Sequence, residues 1–150
     1  MKNIIAAAFI ALSGDAEAGV GLNVYGLSYH PDRDAVASRR LDEFNPGLAL
    51  RYDWLNDIFA EAGGFRDSYG GRANFADIGY QWRFGRWRVG GALAVAHAAA
   101  YNYGKVFVAP LPIVSFDIGS ASINGTYFPQ IGGKDGNETA AFALYLTFRF

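Results

Sequence analysis

The chain has 150 residues, thirteen basic and fourteen acidic side chains, a formal net charge of −1 and no cysteine. That length makes one domain; the charge balance excludes a basic nucleic-acid footprint, and the missing cysteines exclude thiol nucleophiles, thiolate metal sites and disulfides. Aromatic residues reach 16% beside 19 glycines, a combination that suits a closed sheet facing lipid better than a water-soluble core.

Residues 1–18 read as a secretory signal, with Lys2 as the positive end, Ile4 to Leu12 as the apolar core and Ala16-Glu17-Ala18 as the small-x-small cleavage site. Cleavage after Ala18 leaves 19–150 as a single domain with no net charge, 12 basic residues balancing 12 acidic ones. No run approaches about 18 uninterrupted apolar residues, so a membrane-spanning helix is not expected.

From there the pattern has period two. Eight strands are predicted, at 20–31, 46–54, 58–68, 73–84, 87–98, 105–117, 120–128 and 139–150. The second sets Leu48, Leu50, Tyr52 and Trp54 against Gly47, Ala49, Arg51 and Asp53. The fourth sets Ile78, Tyr80, Trp82 and Phe84 against Phe75, Asp77, Gly79, Gln81 and Arg83. The fifth sets Trp87, Val89, Leu93 and Val95 against Arg88, Gly90, Ala92, Ala94 and Ala96; His97 continues its outward phase and reads as interfacial. The last alternates Phe142, Leu144, Leu146, Phe148 and Phe150 with Ala141, Ala143, Tyr145, Thr147 and Arg149. Short turns near 55–57, 85–86 and 118–119 alternate with mostly longer links at 32–45, 69–72, 99–104 and 129–138. The fold class is all-β, an eight-stranded antiparallel transmembrane barrel with its N-terminus in the periplasm.

The inward faces divide by depth. Near the periplasmic end lie Arg51, Asp53, Glu61, Gln81, Arg83, Arg88, Asp117 and Arg149. Near the outer end lie small or apolar residues, among them Ala92, Ala94, Leu111 and Ile113. The division predicts an apolar cavity above a polar plug, although a barrel of this size is ordinarily filled by its side chains. Asp77 fits neither half.

At the outer rim, strand 1 ends at His30 and strand 3 at Asp67-Ser68, with only strand 2 between them. A hydroxyl, an imidazole and a carboxylate are the parts of acyl-transfer chemistry, since a hydroxyl becomes a useful nucleophile when a base activates it. Asp67-Ser68 equally suits a turn, because both side chains bond nearby backbone. Pro110 and Pro112 stand two apart in strand 6, so both missing N–H groups face one neighbouring strand.

The segments "FRDSY", "GYQW", "VAPLPIVSFDIG" and "NGTYFPQ", followed by the closing "AFALYLTFRF", resemble the lipid A palmitoyltransferase (PagP) family over about Tyr25 to Phe150. The resemblance implies an outer-membrane enzyme that moves an acyl chain from a phospholipid donor to a lipid A acceptor, with no cofactor and no metal. It implies His30 as general base toward the acceptor hydroxyl. Asp67 and Ser68 would assist by positioning, oxyanion stabilisation or transient acylation. It further implies an acyl-chain cavity lined by Gln81, Ala92, Ala94, Leu111 and Ile113, and a lateral gate at Pro110 and Pro112. The family's floor glycine is replaced by Gln81, so palmitate or a shorter chain fits the expectation. The family's N-terminal amphipathic helix has no counterpart after residue 18. Arg33, Arg39 and Arg40 in the first outer loop are candidates to meet lipid A phosphates. A monomer with no nucleic-acid partner is expected. Two other readings stay open: a non-catalytic lipid-binding or structural barrel, and a deacylase or phospholipase with water as acceptor.

Overall fold

The computed structural model describes residues 19–54, 56–130 and 139–150, so the expected signal at 1–18 lies outside the described residues. Alternating apolar and polar side chains produce eight strands. They are β1 (Gly19–Tyr29), β2 (Phe44–Asp53), β3 (Ile58–Arg66), β4 (Arg72–Phe84), β5 (Trp87–Ala98), β6 (Phe107–Ile118), β7 (Ala121–Phe128) and β8 (Ala141–Arg149). Each boundary falls within two residues of its sequence expectation. Every neighbour is antiparallel and β8 pairs with β1, so the sheet closes into a barrel without edges.

The alternation decides which side faces out. Leu48, Leu50, Ile78, Leu93, Val95, Leu144 and Leu146 are exposed along the middle of the outer wall. Trp54, Trp82, Phe84 and Trp87 ring the lower end, where the turns are short; Tyr29, Phe44 and Phe142 lie toward the upper end. An apolar band between aromatic girdles matches the hydrocarbon layer of a bilayer.

Inside, the lower half is a polar plug. Arg51 bonds Glu61 at 2.6 Å, Asp53 at 2.7 Å and Gln81 at 3.0 Å, and Gln81 passes the chain to Ser115 at 2.8 Å. Arg88 donates to Asp117 and Ser122, both at 2.9 Å, and Arg149 donates to Asp53 at 3.2 Å. These side chains tolerate the barrel interior because acids and donors pair there, with only Arg88 Nε and Arg149 Nη2 of the plug left without a partner among the described residues. Phe59 roofs the plug, with the Arg51 guanidinium 3.9 Å from its ring centre. Gly79 makes the roof possible, since a Cβ there would sit 2.3 Å from the Phe59 ring.

Two expectations need correcting. Arg83 was placed inside, but its side chain is 58% exposed and only 3.7 Å from Asp117 at the lower mouth, because the strand end lets it reach water. The first upper link, to which the sequence assigns no helix, contains one, α1 (Arg33–Arg39), started by Asp32 accepting from the Ala35 N–H at 2.9 Å. Asp77, unassigned from sequence, points inward and is buried.

Replacing Arg51 with Ala leaves Glu61 without its cation. The loss should cost about 3–5 kcal/mol, read as a lower midpoint of denaturant unfolding in micelles. An unchanged midpoint would mean that the plug contributes nothing to stability.

Candidate active site at the upper rim

His30 follows the last residue of β1, and Ser68 lies two residues beyond the end of β3. Only β2 separates those strands, so barrel closure alone brings their ends near each other. The upper link then fixes the distance. The Asp42 N–H donates to the Ser68 carbonyl at 2.8 Å, Arg66 pairs with Asp42 at 2.9 Å, and the Ser28 N–H donates to the Glu43 carbonyl at 2.9 Å. Glu43 also receives the His30 N–H at 3.0 Å and the Arg33 guanidinium at 2.6 Å. Its bond from Arg33, aided by the His30 N–H, holds the Glu43 carboxyl below the usual carboxylate range.

The result is a buried side-chain chain across four elements. His30 Nε2 is 2.9 Å from Ser68 Oγ, and His30 Nδ1 is 3.2 Å from the Thr139 hydroxyl. Asn45, on β2 between them, donates from Nδ2 to Ser68 Oγ at 3.4 Å and accepts from the Ser28 hydroxyl. Asn45 uses one acceptor site of Ser68 Oγ and leaves its O–H available. In the tautomer with the ring proton on Nδ1, facing Thr139, Nε2 accepts the Ser68 O–H. A hydroxyl on a base that a third group orients is the arrangement nucleophilic catalysis uses.

Asp67 stands apart from this chain. Its Oδ1 accepts the N–H groups of Tyr69 at 2.9 Å and Gly71 at 2.8 Å, closing the turn that presents Ser68. Asp67 Oδ2 is buried and has no hydrogen-bond partner among the described residues. Its carboxylate lies near Tyr101 at the cavity mouth, where burial, with Asp67 adding to it, pushes the phenol above its usual range and keeps it neutral.

Below His30 and Ser68 opens a cavity of about 340 Å³. One side is aromatic: Tyr25 stacks on Tyr145 with ring centres 4.7 Å apart and meets Phe75 edge-on at 5.8 Å. The other side is made of Ala94, Ala96, Ala109, Leu111 and Ile113, and the small side chains there leave the space. Of the five residues expected to line the cavity, Ala94, Leu111 and Ile113 do so. Gln81 does not: it lies one inward position below Gly79, beneath the Phe59 roof, bound to Arg51 and Ser115. Ala92 faces inward but packs with Phe59 and Ile113 rather than lining the cavity.

Among the described residues the ladder breaks off between β6 and β7. The β6–β7 ladder runs from Ile118↔Ala121 only as far as Ile113↔Thr126, whereas β5 stays paired with β6 past Pro112 and Pro110 up to Phe107. Both prolines lie just above the point where the β7 ladder stops. The Thr126 hydroxyl caps the break by donating to the Pro112 carbonyl at 3.0 Å. Two missing N–H groups on one side of a strand account for the lost pairing.

Elsewhere, His97 is exposed on the outer wall as its phase predicts, and Arg33 is committed to Glu43 rather than free at the rim. Asn45, Thr139, Ser28 and Glu43 were missed in the sequence. Ser28 shares the inward phase of strand 1 with His30, a usable signal; Thr139 becomes adjacent only through closure of β8 onto β1.

No protein-family model and no curated protein matches the chain. Among solved structures the chain is similar to the outer membrane protein Ail of Yersinia pestis, determined in a phospholipid bilayer nanodisc. The two share 14% identity over 89% of this chain and 100% of that one, with a TM-score of 0.53. The likeness is one of fold.

The geometry separates the two members of the Asp-Ser pair. Asp67→Ala should speed hydrogen exchange of the Tyr69 and Gly71 amides by roughly ten-fold or more, the size of losing a hydrogen bond to a charged acceptor, while Asp67→Asn keeps an oxygen acceptor and their protection. Equal protection in both variants, measured by NMR, would contradict the turn-closing role.

Proposed function

We propose that this protein is an outer-membrane acyltransferase that moves an acyl chain from a phospholipid to lipid A. The observation that carries the reading is the His30–Ser68 contact at 2.9 Å, buried at the mouth of an apolar cavity. The break between β6 and β7 adds support, because it gives a lipid chain a sideways path through a wall that is otherwise continuous there. The likeness to an outer membrane protein supports the location.

In this reading the acyl chain lies in the cavity and its ester carbonyl sits at the rim. His30 Nε2 takes the Ser68 proton as Ser68 Oγ bonds to the acyl carbon. The bond from that carbon to the glycerol oxygen then breaks, and the departing alkoxide receives the proton. The acceptor hydroxyl of lipid A repeats the sequence in reverse, losing its proton to His30 and releasing Ser68. Asn45 Nδ2 is placed to donate to the oxyanion, and Thr139 keeps the ring proton on Nδ1. Asp67 holds the turn, and its unpartnered Oδ2 is available to an acceptor hydroxyl. Pro110 and Pro112 serve as the lateral gate.

A non-catalytic lipid-binding barrel would keep the cavity and the gap and have no need of the buried imidazole–hydroxyl contact. Mass spectrometry of lipid A from cells expressing the protein separates the two. The acyltransferase reading expects a gain of one acyl chain, lost in His30→Ala and Ser68→Ala. Unchanged lipid A from a folded, membrane-inserted protein would favour the binding barrel.

A further inference from the structure

An apolar cavity for a plain hydrocarbon chain has no use for a carboxylate at its bottom, yet this one has two. Along β4 the inward residues descend from Ala73 through Phe75 to Asp77. Across the β3–β4 ladder Glu61 stands directly opposite Asp77, so both acids occupy one tier of the lumen. Both line the cavity, beneath its alanine and aromatic walls and just above the Phe59 roof of the plug. Like charges opposite one another on neighbouring strands repel, so the pair is a local cost that packing does not require.

The two acids are partnered unequally. Glu61 is satisfied: its Oε1 takes Arg51 at 2.6 Å and its Oε2 takes the Tyr25 hydroxyl at 3.4 Å. Asp77 is only 9% exposed, and its Oδ1 is buried with no hydrogen-bond partner among the described residues. Arg51 spends its donors on Glu61, Asp53 and Gln81 and forms no bond to Asp77. A buried acceptor left unmade is expensive, and the empty volume beside it is on the rim side, where a ligand enters.

We infer that the cavity takes an acyl chain bearing a hydroxyl at its far end, which donates to Asp77 at the floor. The inference rests on the reading that the cavity holds an acyl chain. The chemistry of the site selects the group: the walls desolvate hydrocarbon, the floor supplies an acceptor, and a hydroxyl is cheaper to bury than an ammonium. The depth selects the length. Four residues of strand separate Ala73 from Asp77, roughly 13 Å along the strand and about 10 Å of axial depth at a strand tilt of about 40°. Ser68 lies three residues beyond Phe65, the partner of Ala73, so the path from the rim pair to the floor is longer than this and suits a chain of intermediate length.

The test is a competition experiment on the purified barrel in nanodiscs, with a fluorescent fatty acid displaced by lauric acid or by ω-hydroxylauric acid. Wild-type protein should prefer ω-hydroxylauric acid by about ten-fold, the worth of one hydrogen bond to a buried acceptor. Asp77→Ala should reverse that preference in favour of lauric acid. Equal or weaker binding of the hydroxy acid by wild-type protein overturns the inference while leaving the acyl cavity in place. Displacement by neither acid overturns both the inference and the acyl-chain reading. Because the wild-type comparison decides alone, a variant that fails to fold does not obscure the result.

Discussion

The interior of this barrel depends on Arg51. Its guanidinium binds acids on β2 and β3 and the amide of Gln81 on β4, and its carbon lies 3.9 Å from the Phe59 ring centre. By satisfying these groups at one level it confines the long charged side chains to the lower half and lets Phe59 seal them off. An eight-stranded barrel has just enough lumen for its own side chains. Polar side chains occupy the lower half around a polar mouth lined by Asp53, Arg83, Arg88 and Arg149, and the upper half stays partly empty, where alanines on β5, β6 and β8 face aromatic rings on β1, β3, β4 and β8. The cavity follows from the plug beneath it and the alanines around it.

The rim is organised by a second constraint, the stitching of the first upper link onto the end of β3. Asp42 bonds the Ser68 carbonyl and Arg66, while Glu43 gathers Arg33 and the His30 amide. The same few residues thus set both sides of the His30–Ser68 contact, and Asn45 bridges them from the strand between. The catalytic role proposed for His30 and Ser68 requires their geometry to be held to within a fraction of an ångström by neighbours. Here backbone bonds at the ends of rigid strands hold it. The opposing requirement of the proposed function, access for a lipid chain, would be met elsewhere on the circumference, where pairing with β7 stops below Pro110 and Pro112.

The strands were legible in the sequence because period two survives along the whole chain, and a fully apolar outward face leaves no doubt about phase. His30 and Ser68 were legible as rim neighbours because counting strands puts both at the same end. Depth was harder. Gln81 has the inward phase that was read for it, but the ring of Phe59, crossing over Gly79, separates it from the cavity, and no periodicity reports where a neighbouring ring will lie. Arg83 has the inward phase too and escapes to water because its strand is ending. Thr139 meets His30 across 109 residues of sequence and only after the barrel closes. The helix at Arg33–Arg39 had a signal in Asp32, a good N-cap, which the surrounding charges obscured.

The central claim is that the rim pair transfers an acyl group, and reconstitution tests it most directly. Purified barrel in detergent would be given a phospholipid with an isotopically labelled acyl chain, together with lipid A as acceptor. The account predicts labelled acyl-lipid A with wild-type protein and none with a folded His30→Asn variant. Failure of the wild-type barrel to move the label, or undiminished transfer by the variant, would contradict it.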